Sequence, residues 1–182
     1  MHRTALVVCV AVIGLCLPVG PAPQGQDSNA DNVRTLNWKD LVPPEWDPSR
    51  MLRKYYADVA TMKDNDPRAA RLAESLRTAW ETAPVVEALN NQMVKLSGFL
   101  VTLEGDGKAV SEFLLVPFFG ACIHVPPPPS NQMVLVRTKP FQVKHLFETV
   151  AVTGRLRTER ARNDVATASY VIEATHVELQ PR

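Results

Sequence analysis

Cysteine is scarce in this chain: there are three in 182 residues. Two of them, Cys9 and Cys16, lie in an apolar N-terminal stretch, which leaves Cys122 alone in the rest. One thiol cannot close an internal disulfide, so a disulfide framework is excluded, and no paired Cys-x-x-Cys motif offers a closed zinc site. Surplus charge is missing as well. Twenty Lys and Arg against nineteen Asp and Glu leave a formal net charge of +1. Such a chain projects no long-range field, which argues against nucleic acid or an anionic membrane surface as the main partner. There is no Gly-rich phosphate loop and no Gly-x-Ser-x-Gly nucleophile elbow. The acidic pair Asp64 and Asp66 lacks the twelve-residue pattern and closing Glu of a calcium loop.

What is present suits one modest domain with appendages. Apolar residues make up 46% and charged residues 21%, enough for a real core. Fifteen prolines fall in clusters, the mark of rigid connections. The N-terminus reads as an export signal: Arg3 supplies a positive start, and Thr4 to Gly20 is almost wholly apolar. The run is shorter than the about 20 residues that span a bilayer comfortably. Residues 1–22 are therefore expected to be a signal peptide, cut between Gly20 and Ala30, and the product to be periplasmic or secreted with no integral span after cleavage. Leu15, not a small residue, precedes Cys16, so no lipid anchor is expected. The competing reading is an uncleaved N-terminal anchor.

Residues 23–35 are rich in Pro, Gln, Gly, Asp, Ser and Asn and read as a flexible tether. Residues 36–90 form a second block. It opens with a Pro-broken segment, Leu36 to Trp46, whose tryptophans and leucines are expected to clamp onto the main domain rather than to form an exposed docking strip. Two short helices follow. Asp47-Pro48 and Asp66-Pro67 each provide an N-cap carboxylate and a first-turn proline. Apolar residues then recur at three-four spacing: Met51, Leu52, Tyr55, Tyr56 and Val59, then Ala69, Leu72, Ala73, Leu76 and Trp80.

From residue 91 the period changes to that of strands. Met93–Leu103, Val110–Val116, Met133–Arg137, Thr149–Arg157 and Ala168–Leu179 are expected strands, Ala121–Val125 a short extended piece, and Phe141–Phe147 one helical turn. Gly98 and Gly154 sit inside strands, where glycine signals a bulge or bend. Residues 91–182 therefore predict a mainly β fold, a small OB-like, partly closed β-barrel, with the helices as an N-terminal extension. An open antiparallel sheet with flanking helices is the alternative. The basic and aromatic interleaving with which OB folds grip oligonucleotides is missing here.

The chemistry concentrates in Phe113 to Gln132, FLLVPFFGACIHVPPPPSNQ. In an extended segment Cys122 and His124 share one face, and a thiolate with an imidazole suits zinc. His145 and His176, with Glu112 and Glu173, are candidates to complete the ligand set. The plain reading makes Cys122 a small buried apolar group and His124 a hydrogen-bonded wall residue. A third makes Cys122 a thiol activated by His124, for an enzyme or a redox protein, though enzymatic activity is not the favoured outcome. Pro126, Pro127, Pro128 and Pro129 should hold a stiff polyproline-II run, either a structural loop or a docking ledge for an assembly partner, with Asn131 and Gln132 beside it. Arg155, Arg157, Arg160 and Arg162 are diluted by Glu159 and Asp164, and read as a solvated hairpin.

This same stretch resembles the signature of a bacterial family of exported proteins, periplasmic proteins and lipoproteins, that bears a domain-of-unknown-function label. The likeness extends to Leu41–Pro48 (LVPPEWDP), Asp66–Ala69, Ala83–Val86 and Val152–Gly154, so it covers nearly all of the chain after the leader. The resemblance implies an accessory or binding protein of the cell envelope, linked to an ABC-type transport system or another periplasmic protein and to zinc traffic. The chain differs from the lipoprotein members in the residue before Cys16.

Overall fold

The structure is a computed structural model, and it describes residues 32–103, 109–118, 128–143, 148–163 and 165–181. The leader, Cys122, His124, Pro126, Pro127 and His145 lie outside the described residues.

Five strands make the body. They are β2 (Met93–Thr102), β3 (Val110–Val116), β4 (Val134–Phe141), β5 (Thr149–Arg157) and β8 (Tyr170–Leu179). Their order is β2-β3-β4-β8-β5, and β5 pairs back onto β2, so the sheet closes into a barrel. All neighbours are antiparallel except β4 and β8, which run parallel from Val134↔Tyr170 to Arg137↔Glu173. This is an OB-like order, and closure leaves the barrel strands no free lateral edge of the kind an open sheet presents. A short strand β1 (Arg34–Leu36) adds in parallel to β2, so the last two residues of the segment read as a tether are already in the sheet. The remaining strands, β6 (Ala161–Arg162) and β7 (Thr167–Ala168), form a small hairpin.

Two glycines make the closure possible. Along β2, Met93–Phe99 pairs with β5 and Phe99–Thr102 pairs with β3. At the crossover, a Cβ on Gly98 would sit 2.6 Å from the Val116 carbonyl oxygen and 2.9 Å from the Trp38 ring. The register of β5 against β8 slips between Thr153 and Gly154, and a Cβ on Gly154 would collide with the Glu173 carbonyl oxygen. Only a residue without Cβ admits such backbone approach.

The barrel interior is the alternating set from each strand, including Val94, Leu96, Leu100, Phe113, Leu115, Val136, Val152, Leu156, Tyr170 and Ile172. A second apolar cluster lies on the outer side of β3, β4 and β8. Leu114, Val116, Met133, Leu135, Ala168 and Val171 pack there with Phe99 and Val101 of β2 and with Ala161 and Ala166 of the β6–β7 hairpin. Double-sided burial explains why FLLV reads as a continuous apolar run rather than an alternating one.

The N-terminal extension is fastened by buried polar contacts. The Trp38 indole donates to the Ser97 carbonyl (2.8 Å), and Leu41 is fully buried. The Tyr170 hydroxyl donates to the Leu41 carbonyl (2.8 Å) and accepts from the Val86 amide (2.7 Å). Burial pushes that phenol up to about 12. The expected clamp is therefore real for Trp38 and Leu41, whereas Trp46 packs on Trp80, with ring centroids 6.0 Å apart.

The strand boundaries depart from expectation at two places. β4 runs on to Phe141 through Pro140, an exposed position where a proline costs the ladder nothing. Phe141 thus ends a strand and does not begin a helical turn. The last expected strand is interrupted at Ser169, whose amide and hydroxyl both turn to Ser130, at 2.8 and 2.7 Å.

Candidate functional site

The helices α1 (Pro48–Ala60) and α2 (Pro67–Glu81) start as their sequences predict. Asp47 accepts from the Arg50 amide and Asp66 from the Arg68 amide, both at 2.9 Å, with proline in the first turn of each. Asp66 also holds the Arg68 guanidinium, and that hydrogen-bonded partner lowers its carboxyl to about 2. Between the helices Asn65 takes a left-handed backbone (φ 63°), which Asn tolerates better than most residues.

No residue of either helix is buried. Their apolar faces turn toward one another and toward the barrel without meeting it tightly, and a cleft of about 530 Å³ remains between. α1 contributes Leu52, Tyr55 and Tyr56, and α2 contributes Leu76, Arg77, Trp80 and Glu81. The facing wall is Pro128, Ser130 and Met133 together with the β6–β7 hairpin from Arg162 to Thr167. That hairpin is shaped by Asn163, whose side-chain oxygen accepts from the Val165 and Ala166 amides at 2.9 and 2.8 Å. The turn presents Val165 at the mouth, 46% exposed, and across from the hairpin wall Tyr56 is 62% exposed.

The charges of the cleft are unequal. Arg77 is held between Glu74 and Glu81, at 2.5 Å from each, and these hydrogen bonds raise its pKa. One guanidinium between two carboxylates leaves the trio with a net charge of −1. Arg162 is exposed and has no ion-pair partner among the described residues.

The sequence-predicted residues scatter. Pro128 is buried in the cleft wall. Asn131 is fully buried and donates to the Pro84 carbonyl (2.9 Å), while its own side-chain oxygen has no partner among the described residues. Gln132 donates to the Trp38 carbonyl (2.9 Å). These two residues fasten the extension to the barrel, and Pro129 caps the short 3-10 turn that carries them. His176 is exposed on β8, beside Lys139 and Phe141, and contributes nothing to the cleft. Glu112 and Glu173 both bind Arg137, at 3.1 and 3.3 Å. Among the described residues no three His, Cys, Asp or Glu side chains gather as a metal site. Sequence reasoning read Tyr55, Leu76 and Trp80 only as members of apolar helix faces, and Arg162 as part of a solvated hairpin. The visible signal was the two tyrosines, side chains with one wet end, on an otherwise apolar helix face.

Fold and site together define a small closed OB-like barrel carrying a helical hairpin over an apolar cleft. No helix among the described residues is long and apolar enough to cross a membrane. The sequence profile of the family described as "Protein of unknown function (DUF3299)" matches residues 38–179, and the chain belongs to that family. It is similar to a DUF3299 family protein of Pseudomonas aeruginosa PAO1 whose crystal structure is known. The two are 37% identical with a TM-score of 0.61, over 83% of this chain and 98% of that one. No curated protein matches the chain significantly.

Proposed function

We propose that this is an exported, non-enzymatic binding protein of the cell envelope and that the cleft between hairpin and barrel is its binding site. The observation that carries the reading is an apolar cleft of about 530 Å³ with Tyr56 and Val165 exposed at its mouth. Ligand sites are concavities of this size, mostly apolar with a few polar groups, and monomers seldom leave large apolar side chains grouped at a surface without use. The test is a titration of the exported protein with the dye 1-anilinonaphthalene-8-sulfonate. Saturable enhancement, lost in Ala73→Trp, supports the site; Ala73 is an exposed helical position on the wall, so the substitution fills space without disturbing a core. Equal enhancement by the variant would overturn it.

Zinc handling is the second reading, resting on the Cys-x-His spacing of Cys122 and His124 in the sequence, a thiol and an imidazole of the kind zinc takes. Native mass spectrometry of protein purified without chelators tests it: a bound zinc lost in Cys122→Ser supports it, and bare chains from both proteins end it. Export itself is tested by N-terminal sequencing, where a start at Met1 would refute cleavage.

A further inference from the structure

We propose that the occupant of the cleft is a free, single-chain amphiphile with one anionic headgroup, its body lying against Leu52, Tyr55, Leu76, Trp80 and Met133 and its headgroup at Arg162. This inference rests on the cleft being a binding site, and it adds the charge and orientation of the ligand.

The argument is electrostatic complementarity. Among the described residues three ionised side chains line the cleft: Arg77, Glu81 and Arg162. Arg77 is fully paired: Glu81 holds Nη1 and Glu74 holds the Nε–Nη2 edge, a trio of net charge −1 with no cation to spare for a ligand. That leaves Arg162 as the one lining charge without a counter-ion among the described residues. It stands at the rim and not in the depth, where an unpaired charge would be costly. The surrounding segment reinforces its sign: Arg155, Arg157, Arg160 and Arg162 stand against Glu159 and Asp164 between residues 155 and 164. Arg155 is occupied by Asn91, at 2.9 Å from its carbonyl, but Arg157 and Arg160 are exposed. A cationic headgroup would meet this rim unfavourably, and a neutral one would leave Arg162 no better satisfied than by water. An anion gains a charge-assisted hydrogen bond from a planar guanidinium suited to a carboxylate. Deeper in, the wall is aromatic and aliphatic, which suits a chain and not a sugar or a second charge.

The experiment is a titration monitored by tryptophan fluorescence, since Trp80 is in the wall. The probes are decanoate, decanol and decyltrimethylammonium, each below its micellar concentration, added to the full exported protein. Decanoate should bind roughly fivefold more tightly than decanol, the scale of one exposed ion pair, and the ammonium more weakly than either. In Arg162→Gln the affinity for decanoate should fall to that for decanol, and added salt should erode the preference in the wild type. Circular dichroism checks that the variant is folded. Equal affinities for decanoate and decanol in the wild type, or a preference that survives Arg162→Gln, would overturn the headgroup assignment while leaving the cleft as a site. Failure of all three probes to bind would overturn both.

Discussion

The barrel and the helical hairpin are built from equally regular sequence, yet only one of them is buried. Strands β3 and β4 are covered on both faces, so Phe113, Leu114, Leu115 and Val116 are all fully buried. The hairpin has the right spacing for a core-facing helix pair, but none of its residues is buried. The contrast teaches that an amphipathic stripe reports which face of an element is apolar, not whether anything covers it. Where the covering is incomplete, a binding surface results.

Three substitutions sharpen the comparison. Phe113→Ala should cost the most, about 3–5 kcal/mol in chemical denaturation, because it empties the centre of a packed barrel. A loss under about 1 kcal/mol would mean the barrel is looser than drawn. Tyr170→Phe comes next. It keeps the ring but removes a donor to Leu41 and an acceptor for Val86, both inside the seam between extension and barrel. The expected loss is about 1–3 kcal/mol. The same hydroxyl has a pH signature. Its folded pKa of about 12 lies above the ordinary 10, so between those values the folded state holds the proton more tightly than the unfolded one. Stability from this group is complete below pH 10 and declines as pH rises toward 12. Tyr170→Phe should flatten that decline in urea midpoints measured at pH 9 and 11.5; an unchanged slope would assign it to other groups. Leu76→Ala should cost least, below about 1 kcal/mol, since the side chain faces the cleft and is only half covered. A cost comparable to that of Phe113→Ala would show the hairpin to be core, and the cleft closed in solution.

Much of this architecture was legible before any coordinates. The two Asp-Pro pairs announced both helix starts, because an N-cap carboxylate and a proline are local chemistry. Gly98 and Gly154 announced the two places where strands bend and crowd. The limits of β3 and β5 followed from composition and turn residues. Other features were not legible. Ser169 breaks the last strand by bonding Ser130, thirty-nine residues away, and no local pattern signals such a partner. Asn131 and Gln132, promising as binding groups because they are polar beside a proline run, are spent on Pro84 and Trp38. Arg162 gained its interest only when its hairpin was placed opposite α2.

Sequence by itself determined the two helix starts, most of the barrel strands, the strand-bending glycines and the membership in a family, and it favoured a barrel over an open antiparallel sheet. Each depends on residues near one another in the chain or on periodicity within one segment. Tertiary structure decided the closure of β5 onto β2, the second apolar cluster outside the barrel, and the cleft with Arg162 at its rim, unpaired among the described residues. Those depend on which distant surfaces meet and how completely they cover one another, and coverage is a property of packed shape that local patterning does not encode.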